Sequence, residues 1–122
     1  MLVFVGVGAA DTEAEAAKLA EKCAQLRVFP DDRGRFDRSL LDTGGEALVI
    51  SQFTLYGDCR KGRRPDFGSA MPPERAKPLY ERFLEALRCQ KVRIQTGEFG
   101  AHMQVDLIND GPVTLWLDSA AS

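Results

Sequence analysis

Apolar residues recur first at strand spacing and then at helical spacing, and this change repeats towards the C-terminus. An apolar run over residues 2–7 predicts a buried strand, which Gly6 and Gly8 bring to an end. Asp11 or Thr12 is expected to cap the helix that follows, since both residue types accept hydrogen bonds from helix amides. The predicted apolar face of that helix consists of Ala16, Leu19, Cys23 and Leu26.

A second strand is predicted over residues 47–56, where Val, Ile, Phe and Thr are frequent and a glycine pair stands just before. Successive side chains of a strand point to opposite faces of the sheet. Gln52 and Thr54 are therefore expected on one face and Ser51 on the other. As the solvent face of an edge strand these polar residues would need no function, and patterning alone favours that interpretation.

A second helix is predicted after Pro72, with an apolar face that includes Leu79, Tyr80 and Phe83. Pro78 either kinks this helix or delays its start, because proline in a helix interior costs about 3 kcal/mol. Short strands are expected over residues 92–96, 103–107 and 113–117. This order predicts an α+β fold with an antiparallel or mixed sheet and two helices on one face.

The composition is that of an ordinary soluble globular protein. The chain has 122 residues, of which 44% are hydrophobic and 28% charged, so we expect a single domain over residues 1–122. No apolar stretch approaches the roughly 20 residues of a membrane span, which favours a cytoplasmic protein with no membrane partner. The formal net charge of −2 argues against non-specific coating of nucleic acid, so any polyanion contact is expected to be local.

Metal and triad chemistry receive little support from the residues available. The three cysteines form no CxxC pair and His102 is the single histidine, so a zinc site or disulfide framework is not expected. We expect neither a metal nor an organic cofactor. Cys59 is the better candidate nucleophile, since Arg60 and Lys61 would stabilise its thiolate, but no general base is apparent for it.

A basic run follows the second predicted strand. It places four cations within five residues: Arg60, Lys61, Arg63 and Arg64. Guanidinium groups bind phosphate oxygens in pairs, so this run suits phosphate contacts, although solvated loops often have the same composition.

Three separated segments complete the motifs. They read SQFTLYGDCRKGRRP over residues 51–65, GEFGAHMQV over residues 97–105 and NDGPVTL over residues 109–115. The last is first of all a turn signal, but its X-Pro bond can also be cis at a cost of about 0.5–1 kcal/mol. Together, in this order and through nearly the whole chain, the segments resemble the D-aminoacyl-tRNA deacylases, also called D-tyrosyl-tRNA deacylases.

The resemblance implies a homodimeric cytoplasmic hydrolase that cleaves the ester between a D-amino acid, or glycine, and the terminal adenosine of tRNA. Ser51, Gln52 and Leu55 would line the pocket for that ester. Gly111 and Pro112, joined by a cis bond, would enter the partner subunit's pocket and leave no room for an L side chain. Their supporting motif residues would be Asn109, Thr114 and Met103. The basic run would contact acceptor-stem phosphates.

An aminoacyl ester is activated by the neighbouring ribose hydroxyl, so positioning and oxyanion stabilisation would supply most of the barrier reduction. We assign the oxyanion donors to the backbone amides around Gln52 and Phe53. Thr54 as a covalent nucleophile is the competing mechanism and ranks second, because no visible base activates it. Selection by shape predicts a broad tolerance of D side chains.

The resemblance also implies a β-hairpin of roughly 25 residues before the segment that begins at Leu2, with an arginine that helps hold the Gly-cis-Pro loop. Because the chain starts at Met1, the sheet is expected to have an uncovered edge. Two alternatives stay open. One is a catalytically impaired tRNA-binding or dimerisation module, and the other is a hydrolase of small esters that depends on Cys59.

Overall fold

The computed structural model describes residues 1–120 as an α+β fold, which confirms the predicted class. The strands are β1 (Leu2–Val5), β2 (Phe29–Pro30), β3 (Phe36–Arg38), β4 (Glu46–Ser51) and β5 (Arg93–Thr96). The helices are α1 (Glu13–Gln25), α2 (Leu40–Thr43) and α3 (Pro73–Cys89), and a 3₁₀-helix spans Phe53–Tyr56.

The strands form two separate sheets, so parallel and antiparallel pairing are both present. The main sheet has three strands in the order β1-β4-β5, and both of its pairings are parallel. The second sheet is an antiparallel pair of β2 and β3. Because β1 and β4 are parallel and Val5 lies opposite Ser51, both strands end at the same edge of the main sheet.

The two long helices pack together on one face of the main sheet. Ala20 and Ala24 of α1 and Leu87 of α3 are almost completely buried and share one apolar cluster with Val49 of β4. Small residues on α1 let the two helices approach closely. The prediction of two helices on one face is thereby confirmed, with α2 as a short addition.

Local sequence signals set both helix starts. Thr12, one of the two predicted caps, is the N-cap of α1. It forms the reciprocal hydrogen bonds of a capping box with Glu15. Pro73 stands at the first position of α3, where its missing N–H costs nothing. Pro78 lies inside α3, and the helix continues through it to Cys89. The alternative of a later helix start is therefore wrong.

Three strand predictions are wrong in whole or in part. The strand predicted over residues 47–56 ends at Ser51, and the strands predicted over 103–107 and 113–117 do not form. A strand exists only where a neighbour completes its hydrogen bonds. On the side of β5 away from β4, residues 1–120 supply no strand. The later segment instead runs over the surface, where Leu117 packs against the main core.

A buried tyrosine ties α3 to the central strand. The Tyr80 hydroxyl donates to the Val49 carbonyl at 3.0 Å in a buried bond, and the Gly97 N–H also donates to that carbonyl, at 3.4 Å. Because the carbonyl keeps this second partner, Tyr80→Phe is expected to lower the free energy of unfolding by only about 1 kcal/mol. Urea unfolding measures this, with Tyr56→Phe as the control.

The control is matched because the Tyr56 hydroxyl donates no hydrogen bond to any residue of the described part of the chain. An equal loss of stability in both variants would show that the Tyr80 bond contributes nothing specific.

Within residues 1–120, no helix is both long and apolar enough to cross a membrane.

Candidate active site

The candidate site lies where β4 ends, in a turn formed by residues 52–57, named here the Gln52 turn. Gln52 leaves the strand, and the 3₁₀-helix follows at once. Its bonds run from the Leu55 N–H to the Gln52 carbonyl at 3.2 Å and from the Gly57 N–H to the Thr54 carbonyl at 2.9 Å. The strand predicted through Gln52 and Thr54 is therefore wrong, because β4 ends at Ser51, although the two side chains do lie together and form a hydrogen bond.

Two backbone amides of the Gln52 turn have no acceptor. The Gln52 N–H donates to the Val5 carbonyl at 2.7 Å and is therefore already used. The N–H groups of Phe53 and Thr54 make no hydrogen bond within residues 1–120. A helix leaves its first amides unpaired, so these two groups are available to a substrate oxygen. Of the predicted donors around Gln52 and Phe53, the Gln52 amide is therefore occupied and the Phe53 amide is unpaired within residues 1–120.

The side chains of the Gln52 turn give no base to an attacking hydroxyl. The Gln52 side-chain amide donates to the Thr54 hydroxyl in a short hydrogen bond. Phe53 and Thr54 are exposed, and Ser51 is half-buried at the end of β4. His102 lies on the exposed later segment and makes no hydrogen bond or ion pair with residues 1–120. Thr54 is therefore held by an amide, which does not accept its proton.

Glycines at the end of β1 form the floor of the Gln52 turn. A Cβ atom added at Gly6 would lie 3.2 Å from the Gln52 carbonyl oxygen and equally close to Leu55 Cβ. One added at Gly8 would lie 2.7 Å from the Tyr56 hydroxyl oxygen. The sequence predicts only that these glycines end a strand. It does not predict that the turn packs on them, because the side of β1 that the turn covers is a tertiary property.

The Tyr56 ring covers this glycine segment. Burial raises the pKa of Tyr56 above its ordinary value, and the Asp11 and Asp118 carboxylates raise it further. The role of the ring follows from its contacts, since it packs on Gly6 and Gly8 beneath the turn. The sequence contained no signal for this role beyond the aromatic residue in the SQFTLY segment.

The basic run forms a closed loop, named here the basic loop (residues 59–65). Its ends are joined by two backbone hydrogen bonds between Asp58 and Asp66, at 2.7 and 2.9 Å. Gly62 has a φ of 64°, a conformation that favours glycine and lets the loop reverse. The loop thus has a defined base and an exposed tip.

The four cations of the basic loop are not equivalent. Arg60 binds Asp58 through its guanidinium at 2.7 Å, and the hydrogen bonds from its side chain and then from its backbone lower the pKa of that carboxyl. Lys61, Arg63 and Arg64 are exposed and form no ion pair within residues 1–120. Three of the four predicted cations are therefore unengaged.

The later segment places the Gly-Pro pair in an exposed loop. The Gly111-Pro112 bond is cis, and the Asn109 side chain donates to the Thr114 hydroxyl at 3.1 Å across the loop. Within residues 1–120 no hydrogen bond, ion pair or ring contact joins this loop to residues 51–54. No polar or aromatic interaction within residues 1–120 therefore holds the Gly-Pro pair against residues 51–54.

Met103 lies closer to the site than the Gly-Pro loop does. A Cβ atom added at Gly97 would meet both the Met103 sulfur and Ile50 Cδ1, so these two side chains flank Gly97. Ile50 directly precedes Ser51 on β4. Met103 thus packs beside the strand that carries the site.

Among residues 1–120 no group of three His, Cys, Asp or Glu side chains is arranged to hold a metal ion.

Comparison with known families identifies the family to which the chain belongs. The family model described as D-Tyr-tRNA(Tyr) deacylase matches residues 1–118 of the chain. The chain belongs to this family. The family predicted from the sequence is therefore confirmed, and so is the class of enzyme, a hydrolase of aminoacyl-tRNA esters.

Individual members agree with this assignment. A D-aminoacyl-tRNA deacylase of Roseiflexus castenholzii is 62% identical over 120 residues, which cover 98% of this chain and 76% of that protein. A solved structure described as c-Myc DNA Unwinding Element Binding Protein has a TM-score of 0.88 at 44% sequence identity. The match covers 96% of this chain and 80% of the chain in that structure.

A more distant structure supports the fold alone. It is described as a probable eukaryotic D-amino acid tRNA deacylase and has a TM-score of 0.72 at 16% identity, covering 83% of this chain and 75% of its own. The deacylase fold therefore persists where most of the sequence differs.

Proposed function

We propose that this deacylase hydrolyses the ester of D-aminoacyl-tRNA in the cytoplasm, releases free tRNA and the D-amino acid, and rejects L-aminoacyl-tRNA. The observation that carries the proposal is the pair of unpaired N–H groups, on Phe53 and Thr54, in an exposed turn that leads directly into the basic loop. Donors without a protein acceptor suit an oxygen that gains negative charge during the reaction.

The proposed reaction is attack of water on the ester carbonyl carbon. The carbonyl oxygen then becomes an oxyanion, to which the Phe53 and Thr54 amides donate. Collapse of the tetrahedral intermediate breaks the bond to the ribose oxygen, which takes up a proton. The substrate's own 2′-hydroxyl orients the water, so positioning supplies much of the rate enhancement.

Thr54 as a covalent nucleophile remains the second-ranked mechanism. Its hydroxyl accepts a hydrogen bond from the Gln52 side chain, and an amide nitrogen gives it no means to lose its proton. We therefore assign Gln52 and Thr54 to the shape of the pocket, with Ser51 at its wall.

Chiral selection is assigned to Gly111 and Pro112 of a partner subunit in a homodimer. Two observations support this assignment. The Gly-Pro loop is exposed and, within residues 1–120, makes no hydrogen bond, ion pair or ring contact with residues 51–54 of its own chain. Large apolar side chains are exposed on the same segment, and such patches mark protein interfaces. They are Leu107, Ile108, Leu115 and Trp116.

In this composite site a D side chain points outward, whereas an L side chain meets the Gly-Pro backbone. Glycine carries no side chain to exclude, so glycyl-tRNA, including tRNA-Ala mischarged with glycine, is also proposed as a substrate. The supporting residues are Asn109 and Thr114, which brace the loop, and Met103, which packs beside β4.

The deciding experiment is deacylation of D-tyrosyl-tRNA and L-tyrosyl-tRNA by the purified chain. We expect rapid release of D-tyrosine and little release of L-tyrosine. Equal rates for both would contradict chiral selection. Binding of tRNA without turnover would favour the alternative of a catalytically impaired tRNA-binding or dimerisation module.

Replacement of Cys59 separates this proposal from a cysteine hydrolase. The Cys59 thiol is exposed and makes no hydrogen bond or ion pair within residues 1–120. Cys59→Ala is therefore expected to deacylate D-tyrosyl-tRNA at the rate of the unaltered protein. Loss of activity in this variant, with Cys89→Ala as the matched exposed control, would support a thiol nucleophile.

A further inference from the structure

One aromatic contact connects the base of the basic loop with the Gln52 turn. The rings of Phe67 and Phe53 meet edge to face, with centroids 5.2 Å apart and planes at 68°. Phe67 also lies against Gly57, where an added Cβ atom would be 3.0 Å from Phe67 Cε1. Phe67 thus contacts residues near both ends of the 3₁₀-helix.

The backbone on either side of Phe67 is fixed. Asp66 is paired with Asp58 across the base of the basic loop, and its carboxylate accepts from the Gly68 N–H at 2.6 Å. The Phe67 carbonyl accepts from the Ala70 N–H at 3.0 Å. The Phe67 ring therefore extends from a fixed backbone position, one residue beyond the Asp58–Asp66 pair that closes the basic loop. It contacts Phe53, whose backbone amide is unpaired within residues 1–120.

General core packing does not explain this contact. Phe53 is 56% exposed, and neither ring belongs to the buried apolar clusters of residues 1–120. The contact instead links Phe53 to the base of the basic loop, whose exposed part carries Lys61, Arg63 and Arg64.

We propose that Phe67 is a positioning residue that holds the basic loop and the Gln52 turn in register, so that binding of RNA phosphates aligns the ester at Phe53. The inference rests on the proposed deacylase function. Its consequence is that RNA contacts increase the rate of hydrolysis as well as affinity, because remote binding energy is used to orient the reacting group.

The test compares two substrates, D-tyrosyl-tRNA and 3′-O-D-tyrosyl-adenosine, which carries the same ester without any phosphate. The quantity measured is the ratio of their kcat/KM values. Phe67→Ala and Phe67→Leu are expected to lower this ratio about tenfold, since both remove the ring edge. Phe67→Tyr keeps the ring and is expected to restore the ratio.

One further variant serves as a control. Phe36→Ala removes a ring that is more exposed than that of Phe67, at 59% on β3 and outside the Gln52 turn and the basic loop, and is expected to leave the ratio unchanged.

Each outcome is decisive. Equal losses on both substrates in the Phe67 variants would show only a structural role and would overturn the inference, as would no loss on either. Hydrolysis of neither substrate by the unaltered protein would overturn the proposed function and this inference with it. Activity of the unaltered protein with an unchanged ratio in Phe67→Leu would overturn the inference alone.

Discussion

Gly6→Val is expected to lower kcat for D-tyrosyl-tRNA about a hundredfold, because it displaces the Gln52 turn on the scale of 1 Å. A Cβ atom at Gly6 would already crowd the Gln52 carbonyl oxygen and Leu55 Cβ at 3.2 Å, and valine adds two methyl groups beyond it. Gly6→Ala requires a shift of only a few tenths of an ångström and is expected to cost about tenfold. Single-turnover deacylation at saturating enzyme measures both variants.

The control for Gly6 is Gly45→Val. Gly45 precedes the other end of β4, and an added Cβ atom there would lie 3.0 Å from Leu40 Cδ1 and 3.3 Å from Thr43 Oγ1, so it is crowded by side chains remote from the site. Neither glycine has a positive φ, so backbone strain does not enter the comparison. A folded Gly6→Val variant with unaltered kcat, or an equal loss in Gly45→Val, would show that the glycine floor does not position the turn.

Neutralising the basic loop is expected to have the second large effect. A Lys61→Ala, Arg63→Ala and Arg64→Ala triple variant removes the three exposed cations without a partner among residues 1–120. Each phosphate contact contributes roughly one unit or slightly less to the slope of log affinity against log salt. The slope for tRNA is therefore expected to fall by two to three, roughly, with a loss of affinity of about thirtyfold or more near 0.1 M salt.

Arg60→Ala provides the internal comparison. Arg60 is already bound to Asp58, so its removal is expected to change the slope less than removal of Arg63 alone. Filter binding over a series of salt concentrations measures all variants. A duplex DNA of matched length serves as competitor, since it presents phosphates without 2′-hydroxyl groups. An unchanged slope in the triple variant would place the RNA elsewhere on the surface.

The position of the site follows from parallel pairing in the main sheet. β1 and β4 run in the same direction, so the glycines after β1 and the turn after β4 meet at one edge. Parallel sheets commonly place ligands at the carboxyl ends of their strands for this reason. The floor, the free amides and the base of the basic loop are thereby assembled from segments more than 40 residues apart in sequence.

The sequence by itself determined the elements whose causes are local. Thr12 and Glu15 define the start of α1, and Pro73 with its following apolar face defines α3. The basic residues on either side of Gly62 indicated an exposed loop that can reverse direction. The separated motifs were sufficient to identify the family, because their order and spacing reflect one common fold.

Only the tertiary structure decided the features that depend on a neighbour. Residues 52–56 look like a strand, yet β1 ends at Val5, whose carbonyl accepts the last ladder bond from Gln52, and the glycine floor leaves room for a 3₁₀-helix. Residues 103–107 alternate as a strand does, but pairing needs an available edge, which alternation does not report. Whether the amides of Phe53 and Thr54 are unpaired also depends on the folded chain around them. These are the properties on which the proposed chemistry rests.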